Sequence, residues 1–157
     1  MDFFECVKLK LGSNVDVVDN KNGSRFIRFS TEISGEQRYF LMAFHKLSGM
    51  TLLQVAVRYN EGVSNFGGDF SKEKFLNIIN QANLNINGVK LMLDDNEKLV
   101  GSYEFPIIFE PLFLEANDYR VQLILNIIFD RFDNAYQQVL RKYFIIEKGI
   151  PLDDLNI

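Results

Sequence analysis

The sequence has very little of the residues on which many catalytic and metal sites depend. It contains one cysteine, Cys6, and one histidine, His45, so that neither an intrachain disulfide nor a Cys/His zinc site can form. An excess of positive charge is also missing, since 17 Lys and Arg stand against 21 Asp and Glu and the net charge is −4. A DNA- or RNA-binding domain would need a basic surface. We therefore expect no nucleic-acid partner and no metal site.

Long hydrophobic runs are absent as well. The apolar stretches are short, such as Ile127-Ile128-Phe129, whereas a membrane span needs about 20 apolar residues. The first residues, Met1–Glu5, lack the basic and apolar regions of a signal peptide. Together with the low cysteine content, these features predict a cytoplasmic protein without a membrane partner.

What the chain does have is the composition of a globular domain. Hydrophobic residues make up 47% of it and charged residues 24%, values that exclude intrinsic disorder. Its length of 157 residues suits one domain, and no repeat or linker divides it. We predict a single domain over residues 1–157, with a loosely packed tail at 147–157.

Hydrophobic periodicity predicts three helices. The first covers Asp2–Leu11, with Asp2 as its N-cap and Gly12 at its end. The second covers Ser71–Leu84 and the third Asn117–Phe144, and each carries an apolar stripe at helical spacing.

Alternating apolar residues separated by turn signals predict six strands, four before the second helix and two after it. The predicted strands are Val15–Val18, Arg25–Ile33, Arg38–Leu47, Thr51–Tyr59, Val89–Leu93 and Leu99–Phe105. The third is apolar on both faces, which predicts an interior position in the sheet. The segment Asn60–Asp69, rich in glycine, is predicted to be a loop.

Strands in groups that helices flank indicate an α+β fold. We predict a single antiparallel β-sheet of five to six strands with three helices, in the order α-β-β-β-β-α-β-β-α. The predicted core consists of Ile27, Phe29, Leu53, Val55, Val57, Phe75, Ile79, Leu91, Leu93, Ile128 and Phe132.

Residues that could carry chemistry lack partners at any recognised spacing. His45 has no Ser, Asp or Glu at a catalytic spacing, and Cys6 has no histidine motif beside it. The acidic turn Asp94–Glu97 lacks the glycine and the distal glutamate of a calcium loop, and the glycines within 62–68 lack the Lys-Ser/Thr of a phosphate loop. We predict no enzyme activity, no catalytic residue and no cofactor.

Apolar surface beyond a single helical stripe is the remaining signal. Leu123 and Ile127 lie about 60–100° from the main stripe of the third helix, and Ile107 and Phe109 belong to an apolar segment without a strict period. These four residues are candidates for a partner or dimer interface, because large exposed apolar patches mark binding sites. Packing of the same residues in the core is the alternative. A two-fold axis would cover one patch on both partners, so we predict a homodimer.

Several segments resemble the YbjN-like family, which shares the fold of type III secretion chaperones. The similar features are the helix around Phe75–Asn80, the hairpin Val89–Val100 with its acidic turn, and the long closing helix Asn117–Phe144. The opening segment Phe3–Ser30 also suits that layout, whereas the tail Glu147–Ile157 has no counterpart. The resemblance implies a small, acidic, often dimeric protein without enzyme activity. Secretion chaperones hold an extended partner segment along hydrophobic patches, and YbjN-like proteins are regulators.

Three functions stay open at this point. The leading one is a chaperone-like or regulatory protein-binding module with an unknown protein partner. The second is a small acidic immunity or inhibitor protein that neutralises its partner, because an acidic surface steers a basic one. The third is a small-ligand-binding protein or an enzyme whose pocket is assembled from scattered residues.

Overall fold

The computed structural model describes residues 1–20, 25–66, 70–108, 115 and 117–150. Its elements are α1 (Phe3–Leu11), β1 (Asp16–Asp19), β2 (Arg25–Ile33), β3 (Glu36–Leu47), β4 (Met50–Gly62), a 3₁₀ turn (Val63–Phe66), α2 (Lys72–Asn83), β5 (Lys90–Leu93), β6 (Lys98–Ile107) and α3 (Tyr119–Lys148). The predicted α+β fold is confirmed. The six strands form one antiparallel sheet in the order β1-β2-β3-β4-β6-β5.

The helix ends follow local signals in the sequence. The Asp2 side chain accepts a hydrogen bond from a backbone N–H in the first turn of α1, and Gly12 ends that helix at a φ of 83°. Ser71 caps α2 in the same way. The longest helix, α3, continues about one turn beyond the predicted end and stops at Gly149, which adopts the left-handed conformation. None of the helices in the described ranges combines the length and the apolar character needed to cross a bilayer.

One predicted loop begins later than expected. The prediction of a loop over Asn60–Asp69 is wrong at its start, because β4 continues to Gly62 and pairs there with Lys98 across a bulge. A Cβ on Gly62 would lie 2.4 Å from the carbonyl oxygen of Glu97, so the close pairing of the two strands requires glycine. The next residues, Val63–Phe66, form the 3₁₀ turn, and residues 67–69 lie outside the described ranges.

The core lies between the helices and one face of the sheet. Of the predicted core residues, ten are buried: Ile27, Phe29, Leu53, Val55, Val57, Phe75, Ile79, Leu91, Ile128 and Phe132. Leu93 is only partly buried, because it ends the short edge strand β5. Aromatic rings join the layers: Phe40 on β3 lies 5.3 Å from Phe129 and 5.8 Å from Phe132 of α3, between ring centroids.

A charged pair is buried at the edge of this core. Arg38 is only 4% exposed, and its Nη1 donates to both carboxylate oxygens of Glu61, at 2.7 and 3.1 Å. The guanidinium group lies 4.7 Å from the ring centre of Tyr136 and 5.1 Å from that of Tyr59. Burial, and then the nearby Glu61 carboxylate, raise the pKa of Tyr136 above its ordinary value of 10. The alternation along β3 does not by itself reveal this buried arginine.

Candidate functional site

The second face of the sheet is the candidate site. The cross-strand register places Arg28, Leu41, Ala56 and Ser102 in one row on this face. The neighbouring row contains Ser30, Tyr39, Arg58, Val100 and Met92. The side chains between these rows point to the opposite face, into the core. We call the surface formed by these two rows the open face, because no helix of the described residues packs on it.

The open face carries exposed apolar side chains. An antiparallel sheet with one packed face usually presents polar side chains on the other. Here Tyr39 and Leu41 on the interior strand β3 are 50% and 38% exposed, and Met92 on β5 is similarly exposed. The apolarity of β3 on both faces correctly predicts its interior position in the sheet. The same pattern does not imply that both faces of β3 are buried, because its second face is open to solvent.

A concavity of about 630 Å³ lies in the open face. Tyr39, Leu41, Ala56 and Val100 contribute its apolar lining, and the charged residues that line it are Arg28, Arg58 and Asp94. The volume falls within the range of about 300–1,000 Å³ that is usual for binding pockets. The concavity therefore offers apolar contacts and charged groups side by side.

The two arginines that line the concavity form only weak ion pairs. The Arg28 guanidinium lies 2.9 Å from the Asp16 carboxylate, and both side chains are largely exposed. The Arg58 guanidinium lies 3.6 Å from Asp94, a distance beyond that of a good hydrogen bond. The exposed Arg28–Asp16 pair contributes about 0–1 kcal/mol and the Arg58–Asp94 contact is long, so an incoming carboxylate can compete for either arginine.

The Asp94 carboxylate has two different roles. Its Oδ1 accepts hydrogen bonds from the backbone N–H groups of Asn96 and Lys98, each at 2.9 Å, and these bonds fix the turn between β5 and β6. Its Oδ2 is buried and has no hydrogen-bond partner within the described residues. The Arg58 guanidinium, 3.6 Å away, is the ion-pair partner of this oxygen.

His45 lies at the other end of the same face, outside the lining of the concavity. One of its ring nitrogens, Nε2, lies 2.7 Å from the amide oxygen of Gln54, and the Gln54 amide donates to the Glu104 carboxylate at 2.8 Å. These two contacts connect β3, β4 and β6 through the Gln54 amide, so the His45 imidazole has no direct contact with the Glu104 carboxylate.

Three of the four interface candidates from the sequence lie in the described residues, and these three are not part of the open face. Leu123 is 52% exposed and Ile127 is partly buried, both on α3. Ile107 is removed from the candidates, because β6 continues through it and the alternation turns its side chain into the core, where it is buried. Phe109 lies outside the described residues.

The other candidate chemical groups are separate from the open face. Cys6 is fully buried in α1, and burial raises the pKa of its thiol, which donates to the carbonyl oxygen of Glu115 at 3.4 Å. In the described ranges, no group of three or more His, Cys, Asp or Glu side chains is placed to hold a metal ion.

Sequence reasoning did not identify the open face as a candidate site. The signal was present in Tyr39–Phe44, where both faces of β3 are apolar, and it was assigned to burial within the chain. No family model matches the sequence, and no curated protein matches it at a significant level.

Proposed function

We propose that this protein is a non-enzymatic protein-binding module, chaperone-like or regulatory, and that its open face holds an apolar segment of a partner protein that also carries carboxylates. The observation that carries the proposal is the concavity, whose lining combines the exposed apolar side chains of Tyr39 and Leu41 with the guanidinium groups of Arg28 and Arg58.

The exposed apolar side chains supply the driving force. Full burial of a large apolar side chain contributes about 1.5–3 kcal/mol relative to full exposure. Tyr39, Leu41 and Met92 are each between one third and one half exposed. A partner that covers all three therefore gains a few kcal/mol before the cost of association. Tyrosine is also frequent among the residues that dominate binding at protein interfaces.

The size of the sheet is sufficient for a stable interface. With about 3.3 Å per residue and about 4.8 Å between strands, roughly 50 strand residues cover about 800 Å². A standard protein interface buries about 800 Å² on each partner. A partner that covers the open face and the rest of this side of β2, β3, β4 and β6 would use most of this area.

The shape and charge favour a different protein over a second copy on this face. A two-fold interface needs a patch that fits itself, and a concavity placed against its own copy encloses a void. Two copies would also bring Arg28 and Arg58 of each close together. A convex apolar segment with Asp or Glu residues fits the concavity and pairs with the arginines.

The homodimer predicted from α3 is a separate proposal that concerns Leu123 and Ile127. The exposure of Leu123 supports it. Sedimentation of the purified protein at micromolar concentration tests it. A doubled mass that Leu123→Glu abolishes supports the dimer through α3, and a mass near 18.2 kDa overturns it. A doubled mass that only Leu41→Asp abolishes would instead assign the open face to a second copy.

A selection from a random-peptide library displayed on phage tests the open-face proposal. We expect the enriched peptides to combine large apolar residues with Asp or Glu. Leu41→Asp and Arg58→Glu are expected to weaken the binding of these peptides at least tenfold. Leu76→Asp is the matched control, because Leu76 on α2 is 39% exposed and Leu41 is 38% exposed. Circular dichroism checks that each variant folds.

Three outcomes would overturn the proposal. The first is that no peptide is enriched over the background. The second is that Leu76→Asp weakens binding as much as Leu41→Asp. The third is that the enriched peptides are basic and their binding is insensitive to Leu41→Asp and Arg58→Glu. This last result would favour the acidic inhibitor, whose partner is steered by negative charge.

A further inference from the structure

A polar cleft lies between α3 and the segment that joins α2 to β5. Its volume is about 300 Å³. Arg131, Asn134, Gln138 and Arg141 line it from α3, with spacings of three, four and three residues that place them on one side of the helix. Asn85 and Asn87 line it from the joining segment. We call this the amide–arginine cleft.

The two arginines of the cleft are not engaged elsewhere. Neither Arg131 nor Arg141 forms an ion pair with a residue in the described ranges. The Nε of Arg141 is buried and has no hydrogen-bond partner there. No acidic side chain belongs to the lining. A buried guanidinium N–H without an acceptor is costly, and an anion in the cleft would remove that cost.

The opposite wall of the cleft is fixed in place. The Asn83 side chain at the end of α2 donates to the Leu91 carbonyl and accepts from the Leu91 N–H, both at 3.0 Å, so α2 is tied to β5. Gly88 ends the joining segment at a φ of 84°, and a Cβ there would lie 2.4 Å from the Tyr103 ring. The amides of Asn85 and Asn87 are therefore presented by a segment that is anchored at both ends.

These observations point to a small anionic ligand. We propose that the amide–arginine cleft binds a small molecule with phosphate or carboxylate groups. Arginine pairs with both groups through two parallel N–H donors, and side-chain amides can bind the polar remainder of such a molecule. Arg131 and Arg141 are ten residues apart, so their Cα atoms are about 15 Å apart along α3. Both side chains nevertheless line the same cleft, so a ligand with two anionic groups can pair with both guanidinium groups, whereas a single ion pairs with one.

The site is independent of the open face. The cleft lies on the helical side of the sheet, and its lining shares no residue with the concavity. An experiment that overturns the proposal for the cleft therefore does not affect the proposal for the open face, and the reverse also holds. We expect peptide binding to Tyr39 and Leu41 to be unchanged when the cleft is occupied or when its arginines are replaced.

Titration followed by NMR of the arginine Nε–H groups tests the cleft. The probes are inorganic phosphate, pyrophosphate and succinate, each compared with sodium chloride at equal ionic strength. We expect saturable shifts of Arg131 and Arg141 with at least one probe, and tighter binding of the probes that carry two anionic groups. Arg131→Gln and Arg141→Gln are each expected to weaken binding about tenfold or more. Lys142→Gln removes the same charge one residue further along α3 and is the control.

The comparison of probes separates the two ligand chemistries. Saturation with pyrophosphate but not succinate assigns the cleft to phosphorylated molecules, and the reverse result assigns it to dicarboxylates. The absence of saturation with all three probes overturns the proposal. Equal weakening by Lys142→Gln and Arg141→Gln also overturns it, because that result indicates attraction by overall charge. Since Arg131 is exposed, Arg131→Gln keeps the test valid if Arg141→Gln fails to fold.

Discussion

Replacement of Glu61 by leucine is expected to destabilise the fold strongly. The change leaves the Arg38 guanidinium charged in a position where it is only 4% exposed to water. In the native protein one guanidinium nitrogen donates to both Glu61 carboxylate oxygens, at 2.7 and 3.1 Å. The remaining neighbours, the rings of Tyr59 and Tyr136, stabilise a cation only weakly compared with a carboxylate.

The structure indicates how large the loss of stability in Glu61→Leu should be. Removal of one partner of a buried ion pair costs about 3–5 kcal/mol. The Glu61 side chain is 16% exposed, so some water reaches the pair and the lower value applies, about 3 kcal/mol. A domain of this size loses about 2–4 °C in melting temperature per kcal/mol, so we expect a decrease of roughly 6–12 °C. The double variant Arg38→Met/Glu61→Leu is expected to recover most of this loss, because an apolar pair of similar volume often replaces a buried ion pair without cost.

Urea denaturation followed by circular dichroism measures these differences as a double-mutant cycle. Asp16→Ala is the control, because it breaks the exposed Arg28–Asp16 pair and should cost no more than about 1 kcal/mol. The reasoning would be refuted if Glu61→Leu cost as little as Asp16→Ala. It would also be refuted if the double variant were as unstable as Glu61→Leu, because the loss would then not come from an uncompensated charge.

Two further predictions concern α1. Burial raises the pKa of Asp2, but the Glu5 N–H and Arg25 outweigh it and hold the pKa below its ordinary value of 3.8. A carboxylate with a lowered pKa stabilises the fold above about pH 4 and loses that contribution as the pH falls through its folded-state pKa. Asp2→Asn should therefore lower the free energy of unfolding by up to about 1 kcal/mol near neutral pH and leave it unchanged in strong acid. Urea denaturation at several pH values measures this difference, and a difference independent of pH would contradict the prediction. The buried Cys6 thiol should react with a thiol reagent only as fast as the protein opens, and labelling of the native protein at the rate of the denatured one would contradict its burial.

The features that could be predicted from the sequence are those decided by neighbouring residues. Asp2 and Gly12 bound α1 because capping and left-handed backbone depend on residue type alone. The alternation in Arg25–Ile33 gives the bounds of β2 without error, because its two faces differ in polarity. In both cases the local preference and the tertiary environment favour the same structure.

The features that could not be predicted depend on residues distant in the chain. Arg38 occupies an ordinary strand position, and its burial follows from contact with Glu61 and Tyr136, which come from β4 and α3. The amide–arginine cleft likewise requires α3 to lie beside Asn85 and Asn87. Ile107 is predicted to be an interface candidate because Pro106 suggests that β6 ends before it. In the structure Ile107 pairs with Thr51, so β6 continues through Pro106 to Ile107.

The number of helices offers one further argument about β3. Six strands at about 4.8 Å spacing form a sheet roughly 29 Å wide, and three helices of about 10 Å diameter side by side span about the same width. The three helices of the described residues are therefore sufficient to cover one face of such a sheet, and none of the three is left for the other face. An interior strand that is apolar on both faces has a second apolar face that these helices cannot bury. Tyr39 and Leu41 are exposed on that second face. We propose that these apolar side chains remain there because a partner protein covers them.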